Sequence, residues 1–219
     1  MASPFGNLFV FDNIRGGVFL AFDDRHINIF MGPSAQKHSI DDFNADNFDH
    51  AGMGFIRGAQ ISIGPAGLEG GPIGAAMGMN PPPGVPRWGA AYRDFLAKYY
   101  TRHTVLAAQT EDLPYSHQTI DLDPNVRDAW GLPTPRLTYD WRRPNELKRV
   151  QFIAQKMEEI GRASGAAHVW HTPQGNGAPG GHHEGGTRMG SNPADSVVNK
   201  YGQSWDVSTD SLGIFRTCF

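Results

Sequence analysis

The chain has one cysteine in 219 residues, Cys218. A single thiol excludes an internal disulfide framework, a thiolate zinc site and a haem-attachment motif, each of which needs paired cysteines. Long apolar runs are missing too, and without about 18 such residues in a row no membrane-spanning helix is coded. Charge of one sign is also lacking, with 19 Lys and Arg against 22 Asp and Glu. That balance gives no electrostatic case for nucleic acid or an anionic membrane. The opening residues, MASPFGNLFVFDNIRGG, lack a basic start followed by an apolar block, so no secretory signal is read there and localisation is left open.

Glycine and proline are plentiful, at 27 and 16. They concentrate in residues 64–89 and 175–190, where loops are expected because glycine frees the backbone and proline removes a donor. The first stretch reads as a plain loop or insertion. The second carries histidines and reads as a place where backbone approaches a ligand.

Residues 8–31 carry three short strand-like runs, LFVF, GVFLAF and INIFM. Residues 41–58 read as an ordered polar loop anchored by Phe43, Phe48 and Phe55. Strands are expected near 55–63, 104–109, 117–122, 136–141 and 166–171. From Ala90, the spacing of Tyr92, Phe95, Leu96 and Tyr99 predicts a helix with one apolar face. The best helix spans Pro144 to Ser164. Proline suits its first position, Val150, Ile153, Met157 and Ile160 form its stripe, and Gly165 is its natural stop. This order predicts an α+β fold with an antiparallel sheet and flanking helices.

Three patterns resemble sites and fail on context. GNGAPG at 175–180 matches G-x-G-x-x-G, but no helix can follow it to meet a pyrophosphate. Asp42, Asn44 and Asp46 resemble a calcium loop, yet Asn47 and Met53 occupy the positions of the turn glycine and the bidentate glutamate. His168, His171, His182, His183 and Glu184 could suggest zinc or iron, as in a metal-dependent hydrolase. However, an i, i+3 pair on a strand points to opposite faces.

The remaining segment is GGHHEGGTRMGSNPADSVVNKYGQSWDV, 180–207. A histidine suits removal of a hydroxyl proton near neutral pH. Gly185 and Gly186 would let backbone come close to a flat ring. Residues 196–207 read as strand, turn, strand.

His183-Glu184-Gly185-Gly186-Thr187-Arg188-Met189-Gly190, followed by Ser196-Val197-Val198-Asn199 and Gly202, resembles the C-terminal signature of the glucose–methanol–choline (GMC) oxidoreductases. EDLPYSHQTIDLDPNVRDAWGLPTPRLTYDW, 111–141, is similar to that family's substrate-domain segment. NADNFDHAGMGFIRG and PRWGAAYRDFLAKYY resemble its subgroup of gluconate, fructose and bacterial glucose dehydrogenase catalytic subunits. The resemblance implies FAD, and removal of hydride from a C–OH carbon of a sugar, polyol or sugar acid. It implies His183 as base, with His182 as the alternative. It also implies Gly185, Gly186, Thr187 and Met189 as flavin-facing residues. Gln109 and His117 are further candidates on the substrate side, although each reads more simply as an ordinary strand residue.

Two departures from the family pattern shape the expectation. No dinucleotide fingerprint lies in this chain, and STDSLGIFRTCF replaces the family's pattern after Val207. The chain therefore reads as a fragment that binds FAD weakly or not at all. Its partners would be a small alcohol or sugar, with a cytochrome acceptor or a complementary N-terminal FAD domain. The expected segments are 1–63, bridging FAD and substrate domains as a remnant of the former; 64–89, a loop; 90–172, the substrate domain; 173–207, the flavin-facing loop with its return strands; and 208–219, an atypical tail. Strands in 8–31 would lack sheet partners and leave an exposed apolar edge. The alternative reading is an inactive remnant or binding domain that keeps only the substrate-domain fold.

Overall fold

The computed structural model describes residues 3–4, 6–7, 10–11, 17–31, 38–63, 71–111, 113, 115–140, 143–171, 183–184 and 188–206. In chain order its first elements are β1 (Ser3–Pro4), β2 (Gly6–Asn7), β3 (Val10–Phe11), β4 (Val18–Ala21), β5 (His38–Ile40) and β6 (Ala59–Ile63). Then come α1 (Gly71–Gly78), α2 (Gly89–Tyr99), β7 (His103–Thr110), β8 (Thr119–Arg127) and β9 (Pro133–Thr138). The last are α3 (Pro144–Ala163), β10 (His168–His171) and β11 (His183–Glu184). Two compact units interleave along the sequence. One takes residues 1–10, 111–141 and 179–219, and the other takes 11–110 and 142–178.

The second unit is built on an antiparallel sheet in the order β10-β4-β7-β6-β5, with the short β3 pairing β7 outside this path. All four residues of β4 are buried. Alternate side chains on a strand point to opposite faces, so β4 feeds two cores. Val18 and Leu20 join Ile61, Leu106 and Ala108 against Ile153 and Met157 of α3. Phe19 and Ala21 join Met79, Trp170, and Phe95 and Tyr99 of α2. On that second face Phe19 stacks on Trp170 at 5.5 Å, and Phe95 meets Trp170 edge-on at 6.1 Å. The Pro-rich run after α1 is tied down by two donors. Trp170 Nε1 donates to the Asn80 carbonyl and Tyr92 Oη to the Met79 carbonyl, both at 3.1 Å.

The α3 stripe lies against the sheet as its spacing requires, and Gly165 ends the helix at φ +81°, a left-handed conformation that glycine adopts without strain. At the start of α3, the carboxylate of Glu146 lies 3.8 Å from Arg143 and 3.9 Å from Arg149, all three buried. Phe43, Phe48 and Phe55 anchor their polar loop on Phe152 of α3, at centroid distances of 5.9, 5.4 and 5.5 Å.

Several expectations are corrected. INIFM forms no strand, because Ile27 and Asn28 donate to the Thr101 carbonyl and Asn28 turns to φ +51°. The 64–89 stretch holds the helix α1, and His38–Ile40 is a strand the alternation did not signal. The exposed edge expected within 8–31 is absent at β4, which β10 pairs on one side and β7 on the other. That pairing puts residues 18–21, 103–106 and 168–171 into one sheet. GNGAPG and the 208–219 tail lie outside the described residues.

In the first unit the sheet order is β1-β8-β9, and β11 pairs β2. The β8–β9 hairpin pairs Ile120 with Leu137 and Leu122 with Pro135. Exposed apolar surface gathers here, with Leu122 62% and Trp130 85% exposed. Asp128 Oδ1 accepts from the Trp130 and Leu132 amides at 2.9 Å and so fixes the turn. Among the described residues no helix is long and apolar enough to cross a membrane.

This packing leads to two expected outcomes. Ile153→Ala should remove about 2–5 kcal/mol of unfolding free energy, while Ile56→Ala, at a 54% exposed position, should stay within about 0.5 kcal/mol; urea midpoints at unchanged slope check both. The second concerns His103, buried under Phe19, whose Nδ1–H donates to the Tyr99 and Tyr100 carbonyls at 3.0 and 3.1 Å. Burial holds its imidazole below the ordinary value of 6.5. Above that pH both folded and unfolded chains are neutral there. Below it the unfolded chain takes the proton first, so stability falls with acid. Urea midpoints between pH 7.5 and 5 should fall more steeply in the natural chain than in His103→Gln.

Candidate functional site

The segment singled out by sequence lies in the first unit. His183 and Glu184 form β11, antiparallel to β2, with His183 opposite Asn7 and Glu184 opposite Gly6. Of the remaining site residues, His182, Gly185, Gly186 and Thr187 lie outside the described residues. Met189 is half-buried and bridges to Val198. The structure thus describes the backbone of His183–Glu184 and the chain from Arg188 onward.

From Arg188 onward the chain forms a self-bonded clamp. The Arg188 carbonyl accepts from the amides of Val197 and Val198 at 3.0 and 3.3 Å, and Gly190 N–H donates to the Val198 carbonyl at 2.9 Å. Arg188 Nε donates to the Asp195 carbonyl at 2.5 Å. Ser196 Oγ donates to the Asn192 carbonyl at 2.6 Å and accepts from Trp205 Nε1 at 2.9 Å. Glycine is required at 190 by this close approach, since a Cβ there would sit 2.6 Å from Ser196 Cβ. Val198 is the buried centre, 1% exposed, and it bridges on to Ser204. Asn199 closes the return turn: its Oδ1 accepts from the amides of Tyr201 and Gln203 at 2.9 and 3.1 Å. The strand–turn–strand expected for 196–207 is present as this bridged turn rather than as regular strands.

The other candidates are placed apart from these residues in the sequence order. His117 is an exposed turn residue before β8, its ring 5.4 Å from Tyr115. Gln109, in the other unit, lies on β7 opposite Gln60. His168 and His171 occupy opposite faces of β10. His168 Nε2 lies 3.8 Å from Asp23, which Lys98 and Tyr99 also hold, and His171 Nε2 lies 3.2 Å from Glu158. Hydrogen bonds from Lys98 and then Tyr99 hold the Asp23 carboxyl below its ordinary range. Arg162, followed by His171, does the same for Glu158. Among the described residues no three such groups converge on a metal position. Asp41, Asn44 and Asn47 bond to one another as a polar turn.

Comparison with known proteins bears on the same region. Residues 114–209 match the family model described as GMC oxidoreductase. This part of the chain is a GMC oxidoreductase C-terminal domain. Over 212 residues, 92% of the chain, it is 34% identical to the gluconate 2-dehydrogenase flavoprotein of Pantoea cypripedii. It is 36% identical over 123 residues, 56% of the chain, to the 2-methyl-1,2-propanediol dehydrogenase of Mycolicibacterium austroafricanum. Over 109 residues, 49% of the chain, it is 35% identical to the fructose dehydrogenase large subunit of Gluconobacter japonicus. These matches cover 33%, 22% and 20% of the three relatives, so the chain spans about a third of the first one's length. The relatives are sugar and alcohol dehydrogenases of the GMC family, and the antiparallel sheet with few helices is compatible with that family's substrate domain.

The clamp itself generates a test. Gly190→Ala should push Ser196 aside and weaken its bond to Trp205. Amide exchange at Val197 and Val198 should then speed at least tenfold, whereas unchanged protection would show that Ser196 yields without cost.

Proposed function

We propose that this chain supplies the substrate side and the catalytic base of an FAD-dependent oxidoreductase acting on the CH–OH group of a sugar, polyol or sugar acid. The observation that carries the reading is the place of His183. It lies in the short strand β11, five residues before Arg188, inside a segment that matches the GMC family. On this reading residues 1–63 include remnants of the FAD-binding domain.

The residue types at 185–190 fit a flavin in kind. Residues 185–190 are Gly-Gly-Thr-Arg-Met-Gly, with a hydroxyl and a guanidinium and no carboxylate of their own. Gly185, Gly186, Thr187 and Met189 would hold the flavin. When bound, the flavin supplies the two-electron acceptor for the carbon–hydrogen bond. An imidazole nitrogen of His183 accepts the hydroxyl proton as that bond weakens, which avoids a high-energy cationic product; a base so placed is worth about 10²–10⁴ in rate. His182 is the neighbouring alternative for this role. The remaining FAD contacts belong to a complementary FAD-binding domain, and a cytochrome takes the electrons onward. Without that domain the chain retains FAD weakly or not at all.

The test is dye-linked oxidation of gluconate, fructose and a short diol by the chain supplied with FAD and a co-expressed FAD-binding domain. His183→Gln should lower kcat by about 10²–10⁴, and His182→Gln should lower it much less. The reverse order moves the base to His182. Absence of flavin-dependent turnover with every substrate would favour the non-catalytic binding domain, and a stably yellow chain purified alone would refute weak retention.

A further inference from the structure

The aromatic face of the larger unit holds a cleft that the proposed chemistry does not use. Its volume is about 320 Å³, and every residue of its wall belongs to that unit. Pro82 and Val85 of the Pro-rich run contribute to the wall, with Trp170 of β10 and with Phe95 and Tyr99 of α2. The three rings are buried members of one core cluster, and Val85 packs against it, so close packing holds the wall in shape. Ala91, Asp94 and Lys98 complete the α2 side, at spacings of three and four residues that put them on one helical face. We propose that this cleft binds a small organic cation, an aromatic ring carrying a short ammonium chain. The proposal stands apart from the assignment of His183 as a base.

Size and wall chemistry set the body of the ligand. A cavity of about 150 Å³ lined by apolar side chains holds benzene, so this one has room for a ring and a short chain. The wall is almost wholly carbon, because polar side chains within it are turned to protein partners. Trp170 Nε1 donates to the Asn80 carbonyl at 3.1 Å, and Tyr99 Oη donates to Asp23 Oδ1 at 3.0 Å. Lys98 Nζ lies 3.0 Å from that same oxygen, and His168 Nε2 lies 3.8 Å from Asp23 Oδ2. A sugar or polyol would find few groups there to replace its water.

Charge sets the other end of the ligand. Asp94 is the exposed carboxylate of the wall, and among the described residues no hydrogen bond or ion pair engages its side chain. Lys98, one turn along α2, would neutralise it but is drawn to Asp23, and its Nζ also stands over the Tyr99 ring, 4.7 Å from the centroid. The place that a ligand cation could take over Tyr99 is thus filled from within, and Asp94 remains as the counter-charge. An ammonium beside it forms charge-assisted hydrogen bonds, while the attached ring leaves water for the apolar wall.

The experiment titrates the full chain at neutral pH with phenethylammonium, the neutral phenethyl alcohol and the anionic hydrocinnamate, read by the Trp170 indole N–H resonance and by calorimetry. Phenethylammonium should shift that resonance saturably. It should bind about two- to fivefold more tightly than the alcohol, as an exposed ion pair allows, and more tightly still than the anion. Asp94→Asn should bring the cation to the affinity of the alcohol and leave alcohol binding as it was. Ala91→Trp, a filling change at an exposed position, should abolish the shift while the circular dichroism of the chain is unchanged. No saturable shift with any of the three compounds, or binding that survives Ala91→Trp, overturns the site. Equal affinity for cation and anion, or an Asp94→Asn variant that still prefers the cation, overturns the assigned ligand class.

Discussion

Double-sided burial of β4 is the constraint on which the larger unit depends. A strand buried on one face needs one partner layer, whereas one buried on both faces, and paired on both edges, needs neighbours on all four sides. Val18 and Leu20 bring α3 onto one side, and Phe19 and Ala21 bring the aromatic layer of α2 and Trp170 onto the other. β7 and β10 fill its edges. Each fully buried large apolar side chain contributes about 1.5–3 kcal/mol relative to exposure, so a contiguous buried run outweighs any single loop contact elsewhere in the unit. The seating of the Pro-rich run depends on this arrangement. It is held by Trp170 and Tyr92, whose rings already belong to the aromatic face.

The smaller unit is held differently. Its described contacts between 188 and 205 are hydrogen bonds within a turn and its return, with one buried side chain, Val198. The residues that carry the family resemblance here divide by physical role. Gly190 allows the close approach of Ser196, Ser196 and Asn199 bond the turns, and Val198 fills the centre. The motif after Met189 thus has a geometric reason for each of these residues.

How much of this was legible in the sequence varied with the range of the interactions. The α3 helix was readable because its stripe, Pro144 and Gly165 are all local signals. The faces of α2 and the phenylalanine anchors were readable for the same reason. The sheet partners of β4 were not. VFLA shows no alternation because both faces are buried, and its neighbours come from residues 103–106 and 168–171. INIFM showed the reverse failure: it had strand composition, and a contact with the Thr101 carbonyl decided otherwise. At the candidate site the histidine and glycines were legible as residue types. Their frame was not, since Gly6 and Asn7 pair with 183–184 from the far end of the sequence. Arg188 stood in plain view within Thr-Arg-Met-Gly, but its bond to Asp195 required the turn to be seen folded.

The two modes of support imply different sensitivities. A net hydrogen bond contributes about 0.5–1.5 kcal/mol. Yet a base must stand within hydrogen-bond reach of the proton it takes, and a displacement of about 1 Å can reduce a rate by about 10². On the proposed reading a base at His183 would be subject to that limit. Support is in this way divided, with long-range burial under β4 in the larger unit and, within 188–205, a few bonds between residues close in sequence.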